Sequence, residues 1–186
     1  MCTGSGIVAI AAARLGASTV TAVDTCRRAV RCTRRNARAA GVRIKACVGT
    51  HDEASARGPY DLVVCNPPYV PSDPGRDGAS APDPAGPSTA WDAGPDGRRV
   101  LDPLCDSAAE LLTDAGELLI VQSEFADPER SIRMLRRRRV YAEIIRAQRI
   151  PFGPVLTERA SWMERNGLLP IGRREEELVV IRGEKL

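Results

Sequence analysis

Residues 60–69 read Tyr-Asp-Leu-Val-Val-Cys-Asn-Pro-Pro-Tyr. The run from Tyr60 to Cys65 is nearly continuous in apolar residues, the pattern of a strand buried on both faces of a parallel sheet. It stops at Asn66-Pro67-Pro68-Tyr69, where two prolines hold the backbone in one shape and end the ladder. In open α/β sheets ligands collect beyond the carboxyl ends of the strands, so a rigid tetrapeptide at that end is placed to touch a ligand. The Pro67 carbonyl and the Asn66 side-chain carbonyl are two acceptors side by side, which suits a planar NH2 group, and Tyr69 offers a ring face for a flat group. A plain strand stop explains the prolines but neither the asparagine nor the tyrosine.

Upstream, Cys2-Thr3-Gly4-Ser5-Gly6 runs straight into a helical pattern over residues 7–15, and a strand pattern over 19–24 ends on Asp24. Glycines let a ligand approach the backbone, a helix N-terminus offers free N–H groups, and a strand-end carboxylate can accept both hydroxyls of a ribose. This combination suits an adenosine-containing cofactor. On its own it also fits a loose nicotinamide-dinucleotide pattern, Gly4-x-Gly6-x-x-Ala9, or a bare glycine turn.

Helix and strand patterns alternate along the whole chain, the signature of an α/β sheet with crossover helices. Residues 26–40 put small apolar residues on one helical face and arginines on the other, with Gly41 placed to end the helix. Strands are predicted over 43–48, 117–122, 141–148 and 176–182. Helices are predicted over 98–112, 128–138 and 154–166, the second capped by Asp127 with Pro128 at its first position. Residues 71–97 are too rich in proline and glycine for regular structure, and a loop of that length in a compact domain is expected to be functional or mobile. His51 is expected as a surface loop residue, and the arginines at 136–139 as a solvated helix end.

The 186 residues suffice for a single domain spanning residues 1–186, and 43% hydrophobic with 27% charged residues is a soluble globular composition. No apolar stretch approaches the roughly 20 residues of a membrane span, since Gly6 to Ala13 is cut by Arg14. Residues 1–15 lack the order of a secretory signal. Six cysteines at 2, 26, 32, 47, 65 and 105 form no CxxC pair, so reduced thiols and a cytoplasmic location are expected. With one histidine, no metal site is expected. A net charge of +3 and 4% aromatic residues do not favour a nucleic-acid partner.

Taken together, Cys-Thr-Gly-Ser-Gly, Asp24 and Asn-Pro-Pro-Tyr-Val-Pro-Ser resemble the class I S-adenosylmethionine-dependent methyltransferases of the HemK/PrmC group, the release-factor glutamine methyltransferases. Asp92-Ala93-Gly94-Pro95-Asp96-Gly97 is similar to that family's Gly-x-Asp-Gly segment. The resemblance implies a Rossmann-like sheet, mostly parallel with an antiparallel C-terminal strand. It implies S-adenosyl-L-methionine as cofactor, held by Thr3, Gly4, Ser5, Gly6, Asp24, Thr25 and Thr50, with Asn66, Pro67, Pro68 and Tyr69 as the catalytic segment. The substrate it implies is a glutamine amide of a release factor, and it leaves room for a small activating partner. Enzymes acting on adenine in DNA or RNA carry the same tetrapeptide, and methylation of an adenine or guanine amine in RNA or DNA stands as the alternative. A nicotinamide-dependent oxidoreductase and an inactive remnant are the alternatives of another class.

Two departures from the family pattern stand out. The family's glycine loop follows a central strand ending in an acidic residue, whereas Met1 lies inside the loop, so the expectation is an N-terminally truncated sheet lacking the shared neighbour of strands 19–24 and 60–65. Thr50 stands where relatives place an acidic residue after glycine, with Asp52 as its possible substitute.

Overall fold

The structure is a computed structural model that describes residues 1–73 and 90–186. Much of the loop expected over 71–97 therefore lies outside the described residues. The N-terminal half comprises α1 (Ile7–Arg14), β1 (Thr21–Asp24), α2 (Arg27–Ala39), β2 (Lys45–Val48), α3 (His51–Ser55) and β3 (Tyr60–Cys65). The C-terminal half comprises α4 (Leu101–Leu111), β4 (Leu112–Ser123), α5 (Pro128–Arg137), β5 (Val140–Pro151), α6 (Pro154–Arg165) and β6 (Glu175–Lys185). Every helix and strand expected from the sequence is present. Two elements of the described residues were not foreseen: α3, which His51 opens rather than lying in a loop, and a single 3-10 turn at Glu124–Ala126.

The strands form two sheets. β1 pairs with β2 in parallel, and the second sheet runs β3-β4-β6-β5, with β3 and β4 parallel and β6 antiparallel to both its neighbours. The open edges of β1 and β3 face each other across a cleft of about 1030 Å3, lined by Val20 to Val23 on one side and Tyr60 to Val64 on the other. This is where the sequence pattern puts the shared neighbour of the two strands. At its mouth the first residues of the chain bridge both edges. The Met1 nitrogen donates to the Val64 carbonyl (2.7 Å) and the Thr3 N–H to the Val23 carbonyl (3.2 Å). The same edge corrects one expectation. β3 is not buried on both faces, because with one paired neighbour Leu62 stays 48% exposed, while Val63 and Cys65 enter the core.

The main core lies between the large sheet and helices α4 and α5, with Leu101, Leu104, Leu111, Leu118, Ile120, Leu135 and Ile181 fully or almost fully buried. On α2, Val30, Thr33 and Ala37 are buried at helical spacing, and the arginines fill the other face. The arginine run is not wholly solvated, since Arg136 donates to the Ala142 carbonyl (2.9 Å) and its guanidinium sits 5.8 Å from the centre of the Tyr141 ring. The outer strand β5 exposes Arg146, Gln148 and Arg149 along its edge, the polar dressing that discourages pairing with another chain.

Arg98 is the largest polar side chain in the interior, 2% exposed. It pairs with Asp102 (2.7 Å), and donates to the carbonyls of Ala126 and Asp127 and to Ser131 Oγ (3.0 Å). Ser131 in turn donates to Gln122 Oε1 at 2.7 Å. One cation thus ties α4, the end of β4 and the N-terminus of α5, where Asp127 caps the Arg130 N–H at 2.9 Å. Each acceptor also has a second donor: Arg130 for Asp102, Gln122 Nε2 for the Ala126 carbonyl, and the Arg130 and Ser131 N–H groups for the Asp127 carbonyl. Arg98→Met is expected to lower unfolding stability by about 1–3 kcal/mol in urea denaturation, through the loss of one charge-assisted donor to each of these acceptors.

Candidate active site

The site is built outward from the end of β1. Asp24 Oδ2 accepts the Gly4 N–H and Asp24 Oδ1 accepts the Cys26 N–H, both at 2.9 Å, while the Asp24 carbonyl accepts the Gly49 N–H at 3.0 Å. Each carboxylate oxygen therefore keeps one acceptor site open, and the expected role toward a ribose is shared with a structural one. The loop is also held from α2, where Thr33 Oγ1 donates to the Gly4 carbonyl (3.2 Å) and Asn36 Nδ2 to the Ser5 carbonyl (2.8 Å). Gly6 lies at φ +86°, and a Cβ there would stand 2.9 Å from Thr33 Cγ2, so close packing of loop on helix demands glycine. Gly4 has nothing within 4 Å of its Cβ direction, and Gly4 and Ser5 are exposed. The loop is thus clamped on its inner side and open on its outer one.

Asn66 follows β3 at the same end of the fold, exposed and lining the cleft together with Cys2 and Thr3. Pro67 is buried, while Pro68 and Tyr69 are half-buried. The chain beyond them is held by the segment containing Gly94 and Gly97. Val70 N–H donates to the Trp91 carbonyl (3.0 Å), Ala93 N–H to the Val70 carbonyl (3.1 Å) and Ser72 N–H to the Gly94 carbonyl (2.9 Å). Gly97, at φ +73°, packs against the Tyr69 carbonyl, which a Cβ would approach to 2.5 Å. From α6, Arg159 pairs with Asp92 and donates to the Pro71 carbonyl at 2.9 Å. Tyr69 touches both the main core and a second cluster of Val70, Leu156, Ala160, Met163 and Leu169. Burial, reinforced by the Glu176 carboxylate, pushes its hydroxyl up to about 12.

The structure brings Thr3, Gly4, Ser5, Gly6, Asp24 and Asn66 to one end of the fold. Thr50 reaches the neighbourhood of Asp24 through Gly49, but its hydroxyl caps α3, accepting the Asp52 N–H (3.3 Å) and donating to Asp52 Oδ2 (3.2 Å). Thr25 is exposed after β1. The residues that sequence reasoning missed are Thr33, Asn36 and Arg159. Thr33 counted only as a small residue on the buried face of α2, and its hydroxyl carried no separate signal. Among the described residues no group of three His, Cys, Asp or Glu side chains is placed to hold a metal ion, and no helix is long and apolar enough to cross a membrane.

The family model for ribosomal protein L11 methyltransferase (PrmA) matches residues 1–67. Over its full length the fold matches a chain of the Mtq2–Trm112 complex of E. cuniculi, described as responsible for methylation of the eRF1 translation termination factor. The TM-score is 0.59 at 21% identity, with 99% of this chain and 81% of that chain covered. The chain has the class I methyltransferase fold. Its sequence is similar to the release factor glutamine methyltransferases, the HemK group. It is 43% identical to that of Rhodospirillum rubrum over 126 residues, 63% of this chain and 37% of the relative. It is 28% identical to a putative protein N5-glutamine methyltransferase of Methanocaldococcus jannaschii over 157 residues, 84% of this chain and 77% of the relative. The chain thus spans little more than a third of the length of the first relative and most of the second.

The raised Tyr69 hydroxyl gives this methyltransferase fold a pH signature. A folded-state value above the ordinary 10.0 means that the unfolded chain releases this proton first. The stability Tyr69 contributes is then whole below pH 10 and lost as pH rises toward about 12. Urea midpoints measured across that window are expected to fall less steeply in Tyr69→Phe than in the wild type.

Proposed function

We propose that the chain transfers the methyl group of S-adenosylmethionine to the side-chain amide nitrogen of a glutamine in a protein, with a peptide chain release factor as substrate. The observation that carries this reading is the position of Asn66, which opens Asn66-Pro67-Pro68-Tyr69 directly after the carboxyl end of β3 and lines the same cleft as Cys2 and Thr3 at the start of the glycine loop. The relatives named above support the choice of a glutamine amide. The reading takes residues 1–186 as one methyltransferase domain acting in the cytoplasm, consistent with six free cysteines. A small activating partner belongs to the proposal on the precedent of the two-protein Mtq2–Trm112 complex.

The residues present fit the cofactor. The outer side of Gly4 is open to close approach, Ser5 is exposed beside it, α1 begins immediately after the loop, and Asp24 keeps an acceptor site on each oxygen. Thr3, Gly4, Ser5 and Gly6 would hold the amino-acid end, Asp24 with Thr25 the ribose, and Thr50 the region of the base. When bound, S-adenosylmethionine supplies an electrophilic methyl group on a sulfonium.

An amide nitrogen is a poor nucleophile because its lone pair is delocalised into the carbonyl. Asn66 Oδ1 and the Pro67 carbonyl would accept its two N–H groups, turn the lone pair toward the methyl carbon and stabilise the positive charge that develops on nitrogen. Pro67 and Pro68 hold those acceptors in place without loop entropy to lose. Tyr69, neutral at physiological pH, would offer a flat face to the amide. The nitrogen loses one proton to solvent after transfer, so no strong base is required at the site.

Incubating purified release factor with labelled cofactor tests the reading. Asn66→Ala is expected to lower turnover by about a hundredfold or more while cofactor affinity stays within a few fold. Equal turnover in both proteins would overturn the role given to Asn66, and label appearing in RNA or DNA but not in protein would overturn the substrate.

A further inference from the structure

Methyl transfer as drawn uses the backbone of the glycine loop and the segment from Asn66 to Tyr69, and leaves unused the two thiols that stand between them. We propose that Cys2 and Cys65 form a reversible thiol–disulfide modification site that joins the glycine loop covalently to the strand carrying Asn66.

Backbone placement brings the pair together. The Met1 nitrogen bonds the Val64 carbonyl at 2.7 Å and the Thr3 N–H bonds the Val23 carbonyl at 3.2 Å, so Cys2 is pinned between the ends of β1 and β3. Cys65, the last residue of β3, is 0% exposed in the main core, and the Cys2 side chain packs against that same cluster. Cys2 and Cys65 thus meet where the ends of β1 and β3 come together, each next in sequence to a residue of the Met1–Val64 hydrogen bond.

Their environments give them different tasks. Cys2 is half-buried while Cys65 is 0% exposed, so Cys2 is the thiol that a small molecule meets first. The hydrogen bond from Cys65 holds its thiol below the usual cysteine range. The same hydrogen bond, together with burial, pushes Cys65 well above that range. Cys2 is therefore the attacking thiolate and Cys65 the resolving thiol. Cys105, which also neighbours Cys65, is a poor competitor: it is 0% exposed and burial pushes its thiol up to about 11.

The oxidant is a low-molecular-weight disulfide. Cys2 Sγ attacks one of its sulfurs, forming a mixed disulfide and expelling one thiolate. Cys65 loses its proton and attacks Cys2 Sγ, closing the intramolecular bond and expelling the second thiolate. Two electrons pass from the protein thiols to the small disulfide, which leaves as two thiols carrying the two protons.

Trypsin separates the residues in question, since Cys2 falls in peptide 1–14, Cys65 in 58–76 and Cys105 in 100–130. The reduced protein is equilibrated with glutathione disulfide at graded ratios to glutathione, alkylated, digested without reductant and mapped by mass spectrometry. The expected product is the linked pair of peptides 1–14 and 58–76, lighter by two hydrogen atoms than their sum and released by dithiothreitol. Cys65→Ser is expected to stop at a glutathione adduct on Cys2, Cys2→Ser to give no link, and Cys105→Ala to leave the link intact. A wild-type map showing only a glutathione adduct on Cys2 at every ratio, or peptide 58–76 linked to 100–130, would overturn the proposal. The wild-type map decides even if Cys65→Ser fails to fold. Because the readout is mass and not turnover, the result stands apart from the methyl-transfer reading.

Discussion

The carboxylate of Asp24 is the constraint from which the rest of the site follows. A four-residue strand with one paired neighbour is a weak element, yet three chain segments meet at the end of β1. The side-chain oxygens hold the glycine loop and the entry to α2, and the main-chain carbonyl holds the exit of β2. Hydrogen bonds to an ionised acceptor are roughly twice as strong as neutral ones, so this side chain fixes the loop more firmly than a serine or asparagine could. The same carboxylate that would recognise a ribose therefore also shapes the surface on which the rest of the ligand lies.

Around that point the molecule separates what must be rigid from what must be reachable. Thr33 and Asn36 of α2 pull the loop carbonyls inward, and Gly6 closes on Thr33, while Gly4 and Ser5 face outward. Across the cleft the same division recurs. Pro67 is buried and Tyr69 is wedged between two hydrophobic clusters, while Asn66 is exposed. The tetrapeptide is held from behind by the Trp91–Gly97 segment and by Arg159 of α6, elements distant in sequence. Two acceptors serving one planar nitrogen, as proposed for Asn66 and Pro67, would need such a frame, because a displacement of an ångström removes the benefit of orientation.

What the sequence disclosed follows the reach of its signals. Periodicity is local, so the helices and strands from α1 to β6 could be read, including the Asp127 cap of α5. His51 and its four successors were missed because five residues are too short to show a helical period. Strand burial was overstated at Leu62 for a different reason: an apolar run does not say how many neighbours its strand has. Of the proposed site, Gly4, Gly6, Asp24 and Asn66 could be singled out in the sequence because the chemistry proposed for them depends on residue type and spacing. Thr33, Asn36 and Arg159 were not, because their work is to hold backbone carbonyls 29 to 88 positions away, and no local pattern encodes that. Cys2 and Cys65 were visible as single cysteines, but their contact arises from the meeting of two strand ends.

The central claim is that the glycine loop, Asp24 and Asn66 form one site for an adenosyl sulfonium compound. Nuclear magnetic resonance of the isotopically labelled chain titrated with S-adenosylhomocysteine tests it most directly. The predicted result is a joint, saturable shift of the Gly4, Ser5 and Gly6 amides and of the Asn66 side-chain amide, with no response to NAD. Shifts of the loop amides with NAD alone, or a loop that responds to S-adenosylhomocysteine while Asn66 stays unmoved, would contradict it.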